Sequence, residues 1–193
     1  MEKLLYTVTV PCAPESIEVL ESLTETFLGN IPGASPDELL RLRLSVAEGC
    51  RNALVQQPQG RRMNVTTMTF WGGRFNNIAQ AIEIDDPGPG LEVGGHLPPY
   101  PPSIVEQAFL LAEVFDEQIL ATPETPHNLS LTVQSLNGHR RTRDEWVRDA
   151  RTSGYGLLTL CKAWERVEFR YDPIRGNSLR LAQPRPLLAL YAS

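Results

Sequence analysis

Residues 81–90 read Ala-Ile-Glu-Ile-Asp-Asp-Pro-Gly-Pro-Gly, and the fold turns on how this run breaks. Ile78–Ile84 has the apolar, β-branched character of a strand. Asp85, Asp86, Pro87, Gly88, Pro89 and Gly90 then stop it abruptly, since these residue types build tight turns. Working back, Met63–Trp71 reads as a companion strand, with a turn at Gly72-Gly73 and Asn76-Asn77 between the two. Before it lies a helix start: Ser35 as N-cap, Pro36 at the first helical position and Glu38 three residues after the cap. That helix runs through Leu39, Leu40, Leu42, Leu44, Val46 and Ala47 to about Val55, and Pro58 and Gly60 end it. At the start of the chain, Leu4–Val10 alternates as a strand, and Pro14 opens a helix with Ile17, Leu20, Leu23 and Phe27 at helical spacing. Gly29, Pro32 and Gly33 break that helix.

Beyond Gly90 the pattern is harder. A proline-rich LPPYPP is followed by a helical segment around Ile104–Ile119, a strand at Leu129–Leu136 and an Arg-rich polar stretch. A helix from Gly156 to Trp164 leads into RVEFRYDPIRGNSLRLAQ, a hairpin turning near Asp172–Gly176. The order β-α-α-β-β, then an insertion, then α-β-β predicts an α+β fold: a two-layer sandwich with helices on one face of a mixed β-sheet. It is expected as a single domain over 1–193 carrying an insertion at about 91–153.

Composition bounds what such a domain does. The 193 residues suffice for one well-buried core. Apolar and charged fractions of 41% and 21% are ordinary for a globular protein, and the net charge of −5 argues against direct nucleic-acid binding. No apolar run reaches the roughly 18–20 residues of a membrane span. The amino terminus MEKLLYTVTVPC is too short and too alternating for a signal-peptide core. Cys12, Cys50 and Cys161 lack metal-ligand spacing and read as free thiols. The expectation is a cytoplasmic protein that does not engage membranes.

Three stretches carry chemistry. On the long helix, Glu48 and Asn52 are four apart and share a face. A carboxylate there can accept a proton, and an amide oxygen beside it suits Mg²⁺; a solvated helix face explains them as well. After the strand, Asp86 can accept a hydrogen bond from an exocyclic amine, while Gly88 and Gly90 allow close backbone approach; a plain strand-terminating turn is the other reading. Gly154, Tyr155, Gly156 and Leu157 open the later helix, where free N–H groups and the dipole favour a phosphate, or where a flexible loop simply leads into a helix.

Taken in this order, E-x-x-x-N on a helix, a strand ending D-x-G-x-G, and G-x-G-L opening a later helix resemble the histidine-kinase-like ATPase superfamily. LRLSVAEGCRNALVQ and SGYGLLTLCKAWERVEF look most like the anti-sigma-factor serine/threonine kinases within it. The resemblance covers roughly Met1–Gly90 and Ser153–Gln183. It implies ATP and Mg²⁺ as ligands, with Glu48 as general base and Asn52 binding the metal. Asp86 accepts from the adenine amine, Gly88 and Gly90 shape its pocket, and Gly154, Tyr155, Gly156 and Leu157 cradle phosphates. Asn177 stands where that group has a hairpin threonine, and Gln56 where it often has a histidine. The implied partners are an anti-sigma antagonist as phosphorylated substrate, a sigma factor and a second copy of the chain. A catalytically inactive module acting through protein binding is the alternative.

Within 91–153, the resemblance puts the ATP lid. This stretch reads as a lid with added structure, a partner-docking element or a replacement that blocks the site. His96, His127 and His139 are too widely spaced for a metal site and read as surface or turn residues. Arg140, Arg141, Arg143, Arg148 and Arg151 meet phosphates, an acidic partner or solvent. Trp146 and Trp164 read as packing residues.

Overall fold

The computed structural model describes residues 3–11, 13–29, 35–55, 65–72, 81–114, 116–136 and 154–184. Strands β1 (Lys3–Pro11), β2 (Val65–Gly72), β3 (Ala81–Asp86), β4 (Phe109–Val114), β5 (Glu117–Thr125), β6 (Asn128–Ser135), β7 (Trp164–Asp172) and β8 (Gly176–Pro184) form one sheet. Helices α1 (Pro14–Leu28) and α2 (Pro36–Val55) lie between β1 and β2, and α3 (Tyr155–Ala163) precedes β7. The strand order is β1-β2-β3-β8-β7-β6-β5-β4, and every adjacent pair is antiparallel.

This overturns the expected two-layer sandwich of helices on a mixed sheet. The sheet is purely antiparallel, and more of the described chain lies in strands than in helices. The cause is the connection between β1 and β2. One crossover helix would return the chain for a parallel strand. Two consecutive helices bring it back to the end it left, so Val65 enters opposite Pro11.

A second correction concerns residues 104–119. The helical segment expected there is a run of turns over 102–106 and then the β4–β5 hairpin. With β6, this hairpin continues the sheet beyond β7, so the stretch expected as an insertion supplies three of the eight strands among the described residues. Ile119 and Ala121 of β5 and Leu129 and Leu131 of β6 alternate into the core, and pairing decides the conformation that local preference left to a helix.

Register gives the sheet two unlike faces, because directly paired residues point the same way. One row reads Val8, Met68, Ile84, Leu179, Phe169, Leu129 and Pro123 across β1, β2, β3, β8, β7, β6 and β5. The row on the other face reads Thr7, Thr69, Glu83, Arg180, Glu168, Ser130 and Thr122. On the apolar face, Phe27 of α1 meets Phe70 at a centroid distance of 4.9 Å, and Tyr6 stacks on Phe70 at 4.4 Å. On the polar face, Glu83 accepts from Trp71 Nε1 at 3.2 Å and from Ser178 Oγ at 3.2 Å.

The helix starts behave as the sequence predicts. Glu38 N–H donates to Ser35 Oγ at 3.3 Å, and Ser35 N–H donates to Glu38 Oε2 at 2.7 Å, a closed capping box. α2 reaches the sheet at Gly49: a Cβ there would lie 2.9 Å from Leu179 Cδ2 and 3.0 Å from Ile84 Cδ1. Trp164, fully buried, donates Nε1–H to Ser45 Oγ at 2.8 Å and ties β7 to α2. The β7–β8 turn closes on Asp172, whose Oδ1 accepts from Ile174 N–H at 2.7 Å and Arg175 N–H at 2.9 Å. The Arg-rich stretch with Arg140, Arg141, Arg143, Trp146, Arg148 and Arg151, and also Cys12, Gln56, His139, Ser153 and the tail after Pro184, lie outside the described residues. No described helix is long and apolar enough to cross a membrane.

Candidate functional site

Four segments far apart in sequence meet at one cavity of about 210 Å³. α2 contributes Glu48, Gly49, Asn52 and Ala53; the end of β3 and the loop after it contribute Asp86, Gly90 and Leu91. The start of α3 contributes Gly154, Gly156 and Leu157, and the β7–β8 hairpin contributes Phe169, Asn177 and Leu179. Of the residues singled out in the sequence, Glu48, Asn52, Asp86, Gly90, Gly154, Gly156, Leu157 and Asn177 line it. Gly88 and Tyr155 do not; Gly88 lies behind Asp86, donating its N–H to Oδ1 at 2.7 Å.

Asp86 is buried, and burial pushes its carboxyl above the ordinary value of 3.8. Hydrogen bonds from Asn177 and Gly88 pull the other way, and Asp85 adds to the rise. Asn177 Nδ2 donates to Asp86 Oδ2 at 3.1 Å, which leaves Asn177 Oδ1 buried with no partner. An ionised carboxylate accepts only, so the amide must offer it the NH₂ end and turn its oxygen away. A buried acceptor without a donor costs about 1–3 kcal/mol. Asn177 is held in place by its neighbour: Gly176 has φ +100°, and a Cβ on it would come within 2.4 Å of the Asp86 carbonyl oxygen. Only glycine lets the hairpin and the DDPGPG turn approach this closely.

At the other end, α3 begins after Gly154, which has φ +87° and offers no side-chain cap. The helix terminus therefore presents its dipole to the cavity without a capping hydroxyl or carboxylate of its own. The Glu48 side chain stands over it: a Cβ on Gly156 would lie 2.1 Å from Glu48 Oε1. Glu48 is about one-third exposed and pairs with Arg51 at 3.5 Å, while Arg51 reaches Glu21 at 3.7 Å. Leu91, Ala53, Phe169 and Leu179 give the cavity an apolar wall between the two polar ends.

The wall beyond Asp86 is a fixed strap. A Cβ on Gly90, at φ +87°, would lie 2.5 Å from Pro98 Cγ, and Tyr100 Oη donates to the Leu91 carbonyl at 2.7 Å. Tyr100 N–H donates to the Pro126 carbonyl at 2.7 Å, anchoring the strap to the β5–β6 turn. His96 and His127 sit in turns and are exposed. Among the described residues, no group of three or more His, Cys, Asp or Glu is placed to hold a metal ion.

Gly49, Ala53, Leu91, Phe169 and Leu179 were not singled out in the sequence. Gly49 and Ala53 follow Glu48 and Asn52 with the same spacing of four, and Leu91 follows Gly90. Phe169 and Leu179 face each other once the hairpin is centred on Asp172 and Gly176.

The residues fit a nucleotide in kind. The Asp86 carboxylate has the chemistry to accept from an amine and the apolar wall that to meet a flat ring, while the start of α3 could take an anion only if the Glu48 carboxylate that stands over Gly156 moved aside. Asn52 offers one amide oxygen, which suits Mg²⁺ that keeps most of its waters and its phosphate ligands. Neither a scan against protein-family models nor a search of curated proteins returns a match to this chain.

Proposed function

We propose that the chain binds ATP with Mg²⁺ and acts as a regulatory protein resembling the anti-sigma-factor serine/threonine kinases. The observation that carries this reading is the convergence of Glu48, Asn52, Asp86, Gly90, Gly154, Gly156, Leu157 and Asn177, from four separate segments, on one cavity. Asp86 accepts from the adenine amine, and the ring lies against Phe169, Leu179 and Leu91. Asn52 holds Mg²⁺, which supplies charge neutralisation on the phosphates. The start of α3 receives phosphate oxygens. Glu48 takes the proton of a Ser or Thr hydroxyl on a partner as that oxygen bonds the γ-phosphorus and ADP leaves. The partners proposed with this are an anti-sigma antagonist, a sigma factor and a second copy of the chain, in the cytoplasm and without direct nucleic-acid contact.

Two observations favour a second reading, an inactive module that acts by protein binding. The cavity, about 210 Å³, is below the roughly 300–1,000 Å³ of most small-molecule sites. The Glu48 carboxylate also stands where an incoming anion would meet α3. Calorimetry with ATP, with and without Mg²⁺, on wild type and Asp86→Asn separates nucleotide binding from its absence. Mg²⁺-dependent binding that weakens in the variant supports the proposal; no heat at millimolar ATP ends it. A mass gain of one phosphoryl group on an anti-sigma antagonist, lost in Glu48→Ala, supports the kinase. Binding without any gain leaves the inactive module.

A further inference from the structure

The triphosphate reading asks the start of α3 to receive an anion, yet the cavity is lined for the opposite kind of ligand end. Its polar lining consists of two carboxylates, Asp86 and Glu48, and two amides, Asn52 and Asn177. Among the described residues that line it there is no lysine or arginine. Arg51 pairs with Glu48 Oε2 at 3.5 Å and with Glu21 Oε1 at 3.7 Å, and it does not line the cavity. The other Glu48 oxygen, Oε1, stands over Gly156, a residue of the cavity wall. Asp86 keeps acceptor capacity as well. Each of its oxygens takes one hydrogen bond, from Gly88 N–H and Asn177 Nδ2, and a carboxylate offers about four lone-pair sites.

We infer that the cavity, with Glu48 in the position it holds, takes an uncharged nucleoside: a flat ring whose amine meets Asp86 and whose sugar hydroxyls donate to Glu48. Hydroxyl donors suit a carboxylate, as the acidic side chains that hold ribose in dinucleotide sites show. A phosphate in place of the hydroxyl sets one anion against another, and the apolar wall of Ala53, Leu91, Phe169 and Leu179 strengthens that repulsion by excluding water. Size points the same way. A cavity of about 210 Å³ favours the smaller member of any ligand series that shares one ring. ATP requires Glu48 off α3 and its phosphate charge offset by Mg²⁺, so nucleoside and Mg²⁺-ATP exclude each other from the one cavity.

The inference rests on the nucleotide reading above at the Asp86 end and departs from it at α3, and its test keeps the two apart. Dissociation constants of adenosine, AMP and ATP, each with and without Mg²⁺, are measured by calorimetry on wild type and Glu48→Gln. Wild type is expected to bind adenosine about tenfold more tightly than AMP, and equally well with and without Mg²⁺. In Glu48→Gln, which keeps the volume and an acceptor oxygen, adenosine shifts by less than about threefold and the gap to AMP closes. AMP binding as tightly as adenosine in wild type overturns the inference while leaving the nucleotide reading intact. So does binding of ATP with Mg²⁺ where adenosine fails. A gap that survives in Glu48→Gln overturns it too, because the repulsion then does not come from Glu48. Adenosine binding where ATP fails upholds the inference and ends the nucleotide reading. Failure of wild type to bind all three ligands overturns both. Should the variant not fold, the wild-type series decides alone.

Discussion

The two ends of the sheet are built in different ways. β1, β2 and β3 are separated by helices and long connections, and their apolar residues meet α1 and α2 at Phe27 and Gly49. β4, β5 and β6 follow one another closely, with two residues between Val114 and Glu117 and the Pro126-His127 turn after β5, so their contacts are local in sequence. Every polar side chain in the cavity comes from α2, the end of β3 or the start of β8. The β4–β6 end supplies none, yet two of its apolar side chains crowd the backbone of the site at Gly154. Ala112 and Val114 of β4 stand 2.8 Å and 3.2 Å from where a Cβ on Gly154 would be. The polar groups thus sit on α2 and the central β3–β8 pair, and the corner at the start of α3 is shaped by β4 from one end of the sheet.

The harshest way to break this comparison is Ile119→Ala, which empties a fully buried position in β5. It is expected to cost about 2–5 kcal/mol. Urea unfolding followed by Trp fluorescence and by circular dichroism checks it. Coincident transitions show the two ends melting as one unit; an early transition confined to circular dichroism separates them. Next in size is Gly154→Val, which combines a positive φ with a clash against Ala112 and Val114. The strain is about 1–3 kcal/mol, and the same unfolding experiment reads it. A wild-type midpoint in this variant would show that β4 does not bear on the start of α3.

Ser35→Ala sharpens the contrast from the helical end alone, since it opens the capping box of α2 and touches nothing in β4–β6. A loss of about 1 kcal/mol is expected, with the midpoint lowered and the slope of the urea transition unchanged. The smallest effect depends on pH. Burial raises the folded-state pKa of Asp86, so the folded protein holds this proton better than the unfolded chain does. The contribution is complete below the ordinary 3.8 and is lost as pH rises through the raised value. Asp86→Asn cannot ionise, so its stability relative to wild type should improve as pH climbs through that window. Parallel unfolding profiles from pH 3 to 8 would refute it.

Much of the helical end was legible because its signals are local. Ser35, Pro36 and Glu38 announce a helix start by chemistry that involves only neighbouring residues, and the capping box forms as read. Asp172 and Gly176 mark the last hairpin for the same reason. Residues 104–119 misled because Leu, Ala, Glu and Gln favour helix on their own, with Asp116 as the sole hint of a turn. Their strand state depends on β6, which lies further along the chain. The purely antiparallel sheet was illegible for a related cause: direction follows from how two helices return the chain, and periodicity carries no record of that. At the cavity, the motif residues could be picked out singly, whereas the unpartnered oxygen of Asn177 exists only in the packed arrangement.

The row from Val8 to Pro123 has a consequence for how this chain can change over generations. Seven strands share that line, so one residue added inside any of them turns its apolar side chains toward the polar face. Phe169 and Leu179 belong to the row and also form the cavity wall, so such a slip would remove the wall with it. Changes of length are therefore absorbed by the connections between strands or by local bulges such as those between Leu4 and Tyr6 and between Pro123 and Thr125, and lineages of this protein should differ in their turns before they differ within the paired stretches.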